Sequence, residues 1–285
     1  MYTVKIENAN GDILTLTGIE PAYQVLDIAG LNPVKAQINT STIVGLDGAV
    51  FNSSKLETRN IVLTIKINGN VEENRQQLYN YFRTKSWCKF YYSNQNRDVS
   101  IEGYVESVEC NLFTNAETAQ ISIICPYPYF KSLSEILQTF SNANALFTFP
   151  FTIELGSPVV ISEYISGGIN VYNSSESETG TMIEINFSNS VSSIELKNTT
   201  TGDDLILNYA FQAGDKVIIN TNKGQKSITL IRAGRITNLF SSLQQGSVFF
   251  QLAAGSNFFE YLVDNVASSD DISVLFRYYN IYRGV

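Results

Sequence analysis

The residues whose types and spacing invite chemistry are two adjacent acid pairs, Asp203-Asp204 and Asp270-Asp271, a tyrosine group at Tyr278, Tyr279 and Tyr282, and the segment Gly224-Gln-Lys-Ser227. Paired carboxylates facing each other across a cleft would serve glycoside hydrolysis, one as acid and one as base or nucleophile. Both pairs lie in polar runs, such as Asn198-Thr-Thr-Thr-Gly-Asp-Asp204, that read as solvated turns. The tyrosines offer flat apolar rings with a polar edge, suited to stacking on sugars. On a terminal strand, alternating tyrosines equally complete a core edge or a subunit contact. Gly224-Gln-Lys-Ser227 has the ending of a phosphate loop without the earlier glycine, and it falls between two strand-like runs, so phosphate binding is set aside.

The chain contains no histidine. That removes imidazole triads and every zinc site that uses histidine. Cys88, Cys110 and Cys125 are far apart and odd in number, which reads as small buried hydrophobes rather than a disulfide framework. No cofactor, metal or catalytic set is expected. The net charge of −8, acidic in both halves, lacks the basic footprint that phosphate binding needs. Such a chain suits a channel that DNA passes without specific binding. No run of about 18 apolar residues exists, so no membrane insertion is expected. The start, Met1-Tyr-Thr-Val-Lys-Ile-Glu7, reads as a strand and not as a signal segment, which predicts synthesis in a cytoplasm.

The elements that would position these residues are nearly all strands. In Arg59–Ile67 strict alternation puts Ile61, Leu63, Ile65 and Ile67 on one face. A hairpin around Asn10-Gly11 opens the chain, with short extended runs at Tyr23–Ile28, Lys35–Thr40 and Ala49–Asn52. One amphipathic helix is predicted over 70–85: Asn70 stands at capping-box spacing from Glu73, and Val71, Leu78 and Phe82 share a stripe. Strands follow at Cys88–Tyr92, Val99–Val108 and Ala119–Cys125, until Pro126 and Pro128 end the sheet. Lys131–Ser141 reads as a short helical or irregular connector. Beyond it, strands are expected at Phe149–Leu155, Val159–Ser162, Ile169–Tyr172, Thr181–Phe187, Ser193–Lys197, Leu205–Tyr209, Lys216–Asn220, Ser227–Ile231, Val248–Leu252, Phe259–Val263 and Ile272–Tyr279. Many short strands with turn clusters between them indicate a sandwich.

Three collinear stretches carry a family resemblance. They are the strand–helix unit Arg59–Lys85; Gly103-Tyr-Val with the later Gln120-Ile-Ser-Ile and the closing Pro128-Tyr-Phe130; and the set Gly214–Thr221, Gly224–Leu230, Asn238-Leu-Phe240 and Leu252–Asn257. Their order resembles that of the distal tail proteins of long-tailed bacteriophages. The resemblance implies a mainly β protein of two β-sandwich domains. The N-terminal one would carry a single α-helix, and the C-terminal one would be galectin-like or like a carbohydrate-binding module. The expected boundaries are 1–130 for a ring-forming domain with its helix at 70–85, 131–150 for a connector and 151–285 for a peripheral sandwich. The stretch 151–205 carries no assignable motif.

What the resemblance implies for function is structural and not enzymatic. The chain would form a homohexameric ring at the distal end of the tail tube, a baseplate hub in the virion with a central opening for DNA. Its expected neighbours are the tail tube protein, the tape-measure protein, the tail-tip or tail-associated lysin protein and receptor-binding proteins. The alternatives are glycan adhesion by the C-terminal sandwich through Tyr278, Tyr279 and Tyr282, and the equivalent adaptor of a contractile tail or tail-like bacteriocin.

Overall fold

The structure, a computed structural model, describes residues 2–17, 22–111, 117–140, 168–263 and 272–285. It divides into a first unit, Met1–Leu133 with Ile281–Val285, and a second, Ser134–Asn280. The first unit begins with β1 (Thr3–Asn8), β2 (Ile13–Thr15), β3 (Tyr23–Ala29), β4 (Ala36–Ser41), β5 (Val50–Leu56) and β6 (Arg59–Ile67). After helix α1 (Val71–Tyr81) come β7 (Trp87–Ser93), β8 (Asp98–Cys110), β9 (Thr118–Cys125) and β10 (Phe130–Ser132).

The second unit holds β11 (Ile136–Phe140), β12 (Gly168–Asn173), β13 (Met182–Phe187), β14 (Val191–Asn198) and β15 (Asp203–Phe211). It continues with β16 (Lys216–Asn220), β17 (Ser227–Arg232), β18 (Arg235–Asn238), a 3-10 turn at Phe240–Ser242, β19 (Gly255–Val263) and β20 (Ile272–Tyr278). The last strand, β21 (Ile281–Tyr282), returns to the first unit.

In the first unit one nine-stranded sheet supplies the walls, in the order β2-β1-β7-β8-β9-β6-β3, with β10 joining β8 and β21 joining β10. Alternation explains its core. Ile61, Leu63, Ile65 and Ile67 of β6 point inward with Ile121, Ile123 and Cys125 of β9, and with Val4, Ile6 and Phe90 of β1 and β7. Leu78 and Phe82 of the helical stripe join that cluster, and Val71 packs against it.

The helix is shorter than expected. Phe82 N–H closes on the Leu78 carbonyl at 2.8 Å, and Lys85 turns the chain with φ +67°. Asn70 also departs from the capping box: its amide Nδ2 donates to Glu73 Oε2 at 2.9 Å, and no side-chain cap to the backbone forms. The Glu73 carboxylate is the stronger acceptor and takes the amide, while Glu72 and Glu73 still favour the positive end of the helix.

The second unit is built from a six-stranded sheet, β11-β20-β13-β16-β17-β18, and a four-stranded sheet, β12-β19-β14-β15. Inward residues of both, among them Ile185, Val217, Phe276, Leu196, Leu205 and Phe259, fill one core. This is sandwich packing of two antiparallel layers.

Local expectations differ in three places. Residues within 131–141 form β10 and β11 rather than a helical or irregular connector, because Ile136–Phe140 pairs along β20. Val248–Leu252 is extended but outside the ladders. Its Val248 N–H bonds the Asp204 carbonyl, and Leu252 makes a single bridge to Thr179. The short β18 carries only exposed side chains and so gave no burial pattern to read. The expected strands Phe149–Leu155 and Val159–Ser162 lie outside the described residues.

Candidate functional site

Burial and strand phase sort the candidate chemistry. Asp203 and Asp204 open β15, where successive side chains point to opposite faces, so they form no facing pair. Asp203 instead accepts a bond from Thr201 Oγ1 at 2.8 Å, closing the preceding turn. Asp270 and Asp271 lie outside the described residues. Gly224 (φ +82°) turns the chain between β16 and β17, so no helix N-terminus is present to receive phosphate. Cys88, Cys110 and Cys125 are free thiols; burial pushes Cys88 and Cys125 up to about 12, which keeps them protonated. Among the described residues no group of acids and cysteines could hold a metal ion, and no helix is long and apolar enough to cross a membrane.

The three tyrosines divide between the two units. Tyr278 points into the second unit's core from β20, and its hydroxyl donates to the Tyr172 carbonyl at 2.8 Å. Burial raises its pKa, and its ring has no face to offer a sugar. Tyr279 follows the strand and is exposed. Tyr282 belongs to the first unit, paired with Phe130 across β10 and β21, with the Arg97 guanidinium 4.6 Å from its ring centre. Exposed aromatics of the second unit lie instead at Tyr172 and Phe258, on the outer face of the four-stranded sheet beside Asn170 and Ser256.

The first unit's sheet has open edges and an outlying hairpin. Its sheet ends on β2, three residues long, and on β3, whose ladder shifts register between Val25 and Asp27 and leaves Leu26 exposed. Short, bulged edges resist indiscriminate strand addition and leave contact to specific surfaces. Between β3 and β6 the chain departs as a separate two-stranded hairpin, β4–β5, whose residues are all exposed.

Behind these surfaces the unit is pinned by Arg59, at the inward phase of β6 and fully buried. Its guanidinium donates to the carbonyls of Pro128 (2.8 Å), Asn32 (2.7 Å), Arg283 (2.5 Å) and Gly30, and lies over the Phe130 ring at 4.4 Å. Desolvation lowers its pKa from the ordinary value. Neutral carbonyls are thus gathered from three separate stretches of chain onto one charge. Tyr81 makes a comparable staple from the helix: its hydroxyl accepts from Leu14 N–H at 2.8 Å and donates to the Ile6 or Asp12 carbonyl, and burial pushes its pKa up to about 12.

Sequence reasoning missed the Arg59 hub and the return of β21, and it read the extended runs Lys35–Thr40 and Ala49–Asn52 without their pairing as one hairpin. Only the first had a signal: Arg59 stands in phase with Ile61, Leu63, Ile65 and Ile67, which demands burial and therefore acceptors.

Among the described residues the architecture is mainly β with one α-helix. Two families of phage tail proteins match the chain in order. Residues 15–125 match the phage tail protein RIFT-related domain. Residues 174–279 match the siphovirus-type tail component, C-terminal domain. The fold is similar to that of SPP1 Dit, described as a paradigm of the hub adsorption apparatus in Gram-positive infecting phages. That likeness has a TM-score of 0.68 at 14% identity and covers 96% of this chain and 98% of that one. It is also similar to a chain of the phage p2 baseplate in its activated conformation with Ca, at TM-score 0.54, 12% identity and 98% coverage of both chains. A chain of the same baseplate with Sr gives 0.52 and 11%, covering 97% of this chain and 98% of that one. No curated protein matches the chain.

The class is therefore a phage tail and baseplate structural protein. Within it, the chain belongs to the distal tail protein family.

Proposed function

We propose that copies of this chain form a hexameric ring at the distal end of a phage tail tube. The ring joins the tube to the tail tip and leaves a central opening for DNA. The observation that carries this reading is the collinear match of two tail-protein families over 15–125 and 174–279, in a fold shared end to end with an adsorption-hub protein. The first unit builds the ring, and the second faces outward to receptor-binding proteins. Tail tube protein, tape-measure protein and a tail-tip or tail-associated lysin protein are the axial neighbours. The net charge of −8 fits a channel that repels phosphate and lets DNA slide without specific contacts. The siphovirus-type match favours a long flexible tail over a contractile one. In this reading the protein is made in the host cytoplasm and ends in the virion.

Light scattering on the purified chain, with negative-stain images of the same fraction, tests the ring. A mass of six copies and a six-fold ring with an open centre support it. A monomer that also fails to join purified tail tubes rejects it.

A second reading, glycan adhesion by the second unit, is favoured by the exposed Tyr172 and Phe258 flanked by Asn170 and Ser256. Glycan-array binding that disappears in Tyr172→Ala with Phe258→Ala would support it. An array with no signal removes it.

A further inference from the structure

One long stretch of this acidic chain holds no acid. From residue 216 to 259 the charged residues are Lys216, Lys223, Lys226, Arg232 and Arg235, in a chain whose net charge is −8. Lys216, Lys223 and Arg232 are matched from outside the stretch, by Glu184, Glu178 and Asp215. Among the described residues Lys226 and Arg235 have no ion pair. Lys226 is exposed, with its ammonium 5.3 Å from the centre of the Phe249 ring, and that ring stacks on Phe240. Arg235 is exposed at the first position of β18.

These two charges flank an open sheet edge. β18 ends the six-stranded sheet, and all its side chains are exposed. Ala233 (φ +47°) and Gly234 (φ +79°) form a two-residue turn between the paired Arg232 and Arg235. In such a hairpin the closing pair exchanges backbone bonds, and every second pair does so after it. Leu239 N–H on the Ile228 carbonyl at 2.9 Å keeps that phase. The N–H and C=O groups of Ile236 and Asn238 therefore point away from β17, out of the sheet. At β15, an edge of the other sheet, the chain covers the open groups itself. There Gln244 N–H bonds the Ile206 carbonyl at 2.9 Å, and Val248 N–H bonds the Asp204 carbonyl at 2.8 Å.

An open edge is a template for one more strand, which adds main-chain bonds and sets alternate side chains beside those of the sheet. Ile236, 72% exposed, stands in register with Ile231 and offers such a strand an apolar neighbour. Phe240, also exposed, extends the apolar surface past the end of β18. The charges decide which strand fits. A second copy of β18 would set basic edge against basic edge, and like charges across a ladder repel. A segment with carboxylates near both ends would meet Arg235 at one end and Lys226 at the other.

We infer that β18 accepts an extended, acid-flanked segment of a partner protein as an added strand, held by the main chain of Ile236 and Asn238 and by the charges of Arg235 and Lys226. The inference rests on the reading in which the second unit faces outward to partner proteins, and not on the ring.

The test uses the full chain and a cyclic hairpin peptide whose free strand reads Glu-Thr-Val-Thr-Val-Glu, cyclised so that little ordering cost opposes binding. In excess it should slow hydrogen exchange at the Ile236 and Asn238 amides. The same peptide N-methylated on its outward-facing amides keeps its charges and should give no protection. Absence of protection at 236 and 238, or equal protection by the N-methylated peptide, overturns the proposal. Protection at another edge of the second unit overturns it too, but keeps the outward-facing reading.

In parallel, Lys226→Glu with Arg235→Glu should weaken binding of the acid-flanked peptide by about tenfold or more. The double variant should instead prefer a peptide with lysines in place of the glutamates. Both side chains are exposed, so thermal unfolding and the mass in light scattering should match those of the unaltered chain. A folded double variant that binds the acid-flanked peptide as well as the unaltered chain does, or that gains nothing from the lysine peptide, overturns the assignment of the charges.

Discussion

At the scale of single residues, two buried charges set testable limits on stability. Arg59 satisfies its donors on backbone carbonyls of Gly30, Asn32, Pro128 and Arg283, with no carboxylate among those bonds. Removing the guanidinium strands those acceptors in a dry site, where each unpartnered polar group costs roughly 1–3 kcal/mol. Arg59→Ala should therefore destabilise the first unit by about 3 kcal/mol or more in denaturant unfolding, and Arg59→Lys should recover little, because one ammonium lacks the planar fork. A loss under about 1 kcal/mol would show that the hub is dispensable. In the second unit Asp215 is buried and bridged by Arg232, Nε to Oδ1 at 2.7 Å and Nη2 to Oδ2 at 2.5 Å, with Gln212 N–H adding a bond at 2.8 Å. These bonds, led by Arg232, hold its pKa below the ordinary 3.8. The unfolded chain then takes up the proton first as pH falls. The contribution is complete above the ordinary carboxylate range and is lost as pH drops through the lowered folded value. Unfolding followed between pH 6 and 2 should show this acid loss in the unaltered chain and a flatter profile, from a lower starting stability, in Asp215→Asn. Parallel profiles would remove Asp215 as the cause.

At the scale of elements, the long β8 and β9 show what a strand pair demands of its sequence. Gly103 is buried in β8, packed against Ile123, Ile124 and Cys125 of β9. A methyl there would meet Ile123 Cγ2 at 2.7 Å, the Ile124 carbonyl at 2.8 Å and Cys125 Sγ at 2.9 Å. Backbone leaves no room to give, so Gly103→Ala should destabilise by about 1–3 kcal/mol, in the range of overpacked cores. A neutral effect in thermal unfolding would mean the strands separate freely. Elements of this kind were the legible ones. Arg59–Ile67 and Ala119–Cys125 bury one face against a core, and one-sided burial writes itself as alternation. Asn257 was also readable as part of a loop motif, and the structure gives its reason: the buried amide brackets Ala253, bonding its N–H and its carbonyl at 2.8 Å each. Elements without one-sided burial left no such trace. The β4–β5 hairpin has no buried face, and its bulge at Asn52 shifts the phase midway along β5. With only two residues, β21 is too short for any period, so Tyr282 was grouped with Tyr278 although they serve different cores.

At the scale of the whole molecule, β21 makes the first unit discontinuous in sequence. The chain leaves it after Leu133 and re-enters at Ile281. Exit and entry are held together, since Phe130 pairs with Tyr282 and Lys131 with Ile281 in an antiparallel ladder. The returning segment is then fastened by the Arg59 bond to the Arg283 carbonyl, by an Arg97 bond to the Gly284 carbonyl at 2.5 Å, and by Val285 N–H on the Leu31 carbonyl at 3.2 Å. A segment inserted between paired neighbouring strands adds little strain to its host, and closing the gap needs only a hairpin turn. The first unit's own core already holds the large buried side chains of β1, β6, β7, β9 and α1. Replacing 133–280 by Asn-Gly makes Ser132-Asn-Gly a three-residue hairpin loop between the paired Lys131 and Ile281, with glycine at the left-handed position, and should therefore yield a first unit that folds alone. Circular dichroism should show a cooperative transition that retains the helix signal, and an added Arg59→Ala should lower its midpoint by several degrees. A product that is soluble only with residues 134–280 present would mean that the second unit completes the first. A folded excised unit that also gives the ring mass in light scattering would locate every contact of the ring within residues 1–132 and 281–285.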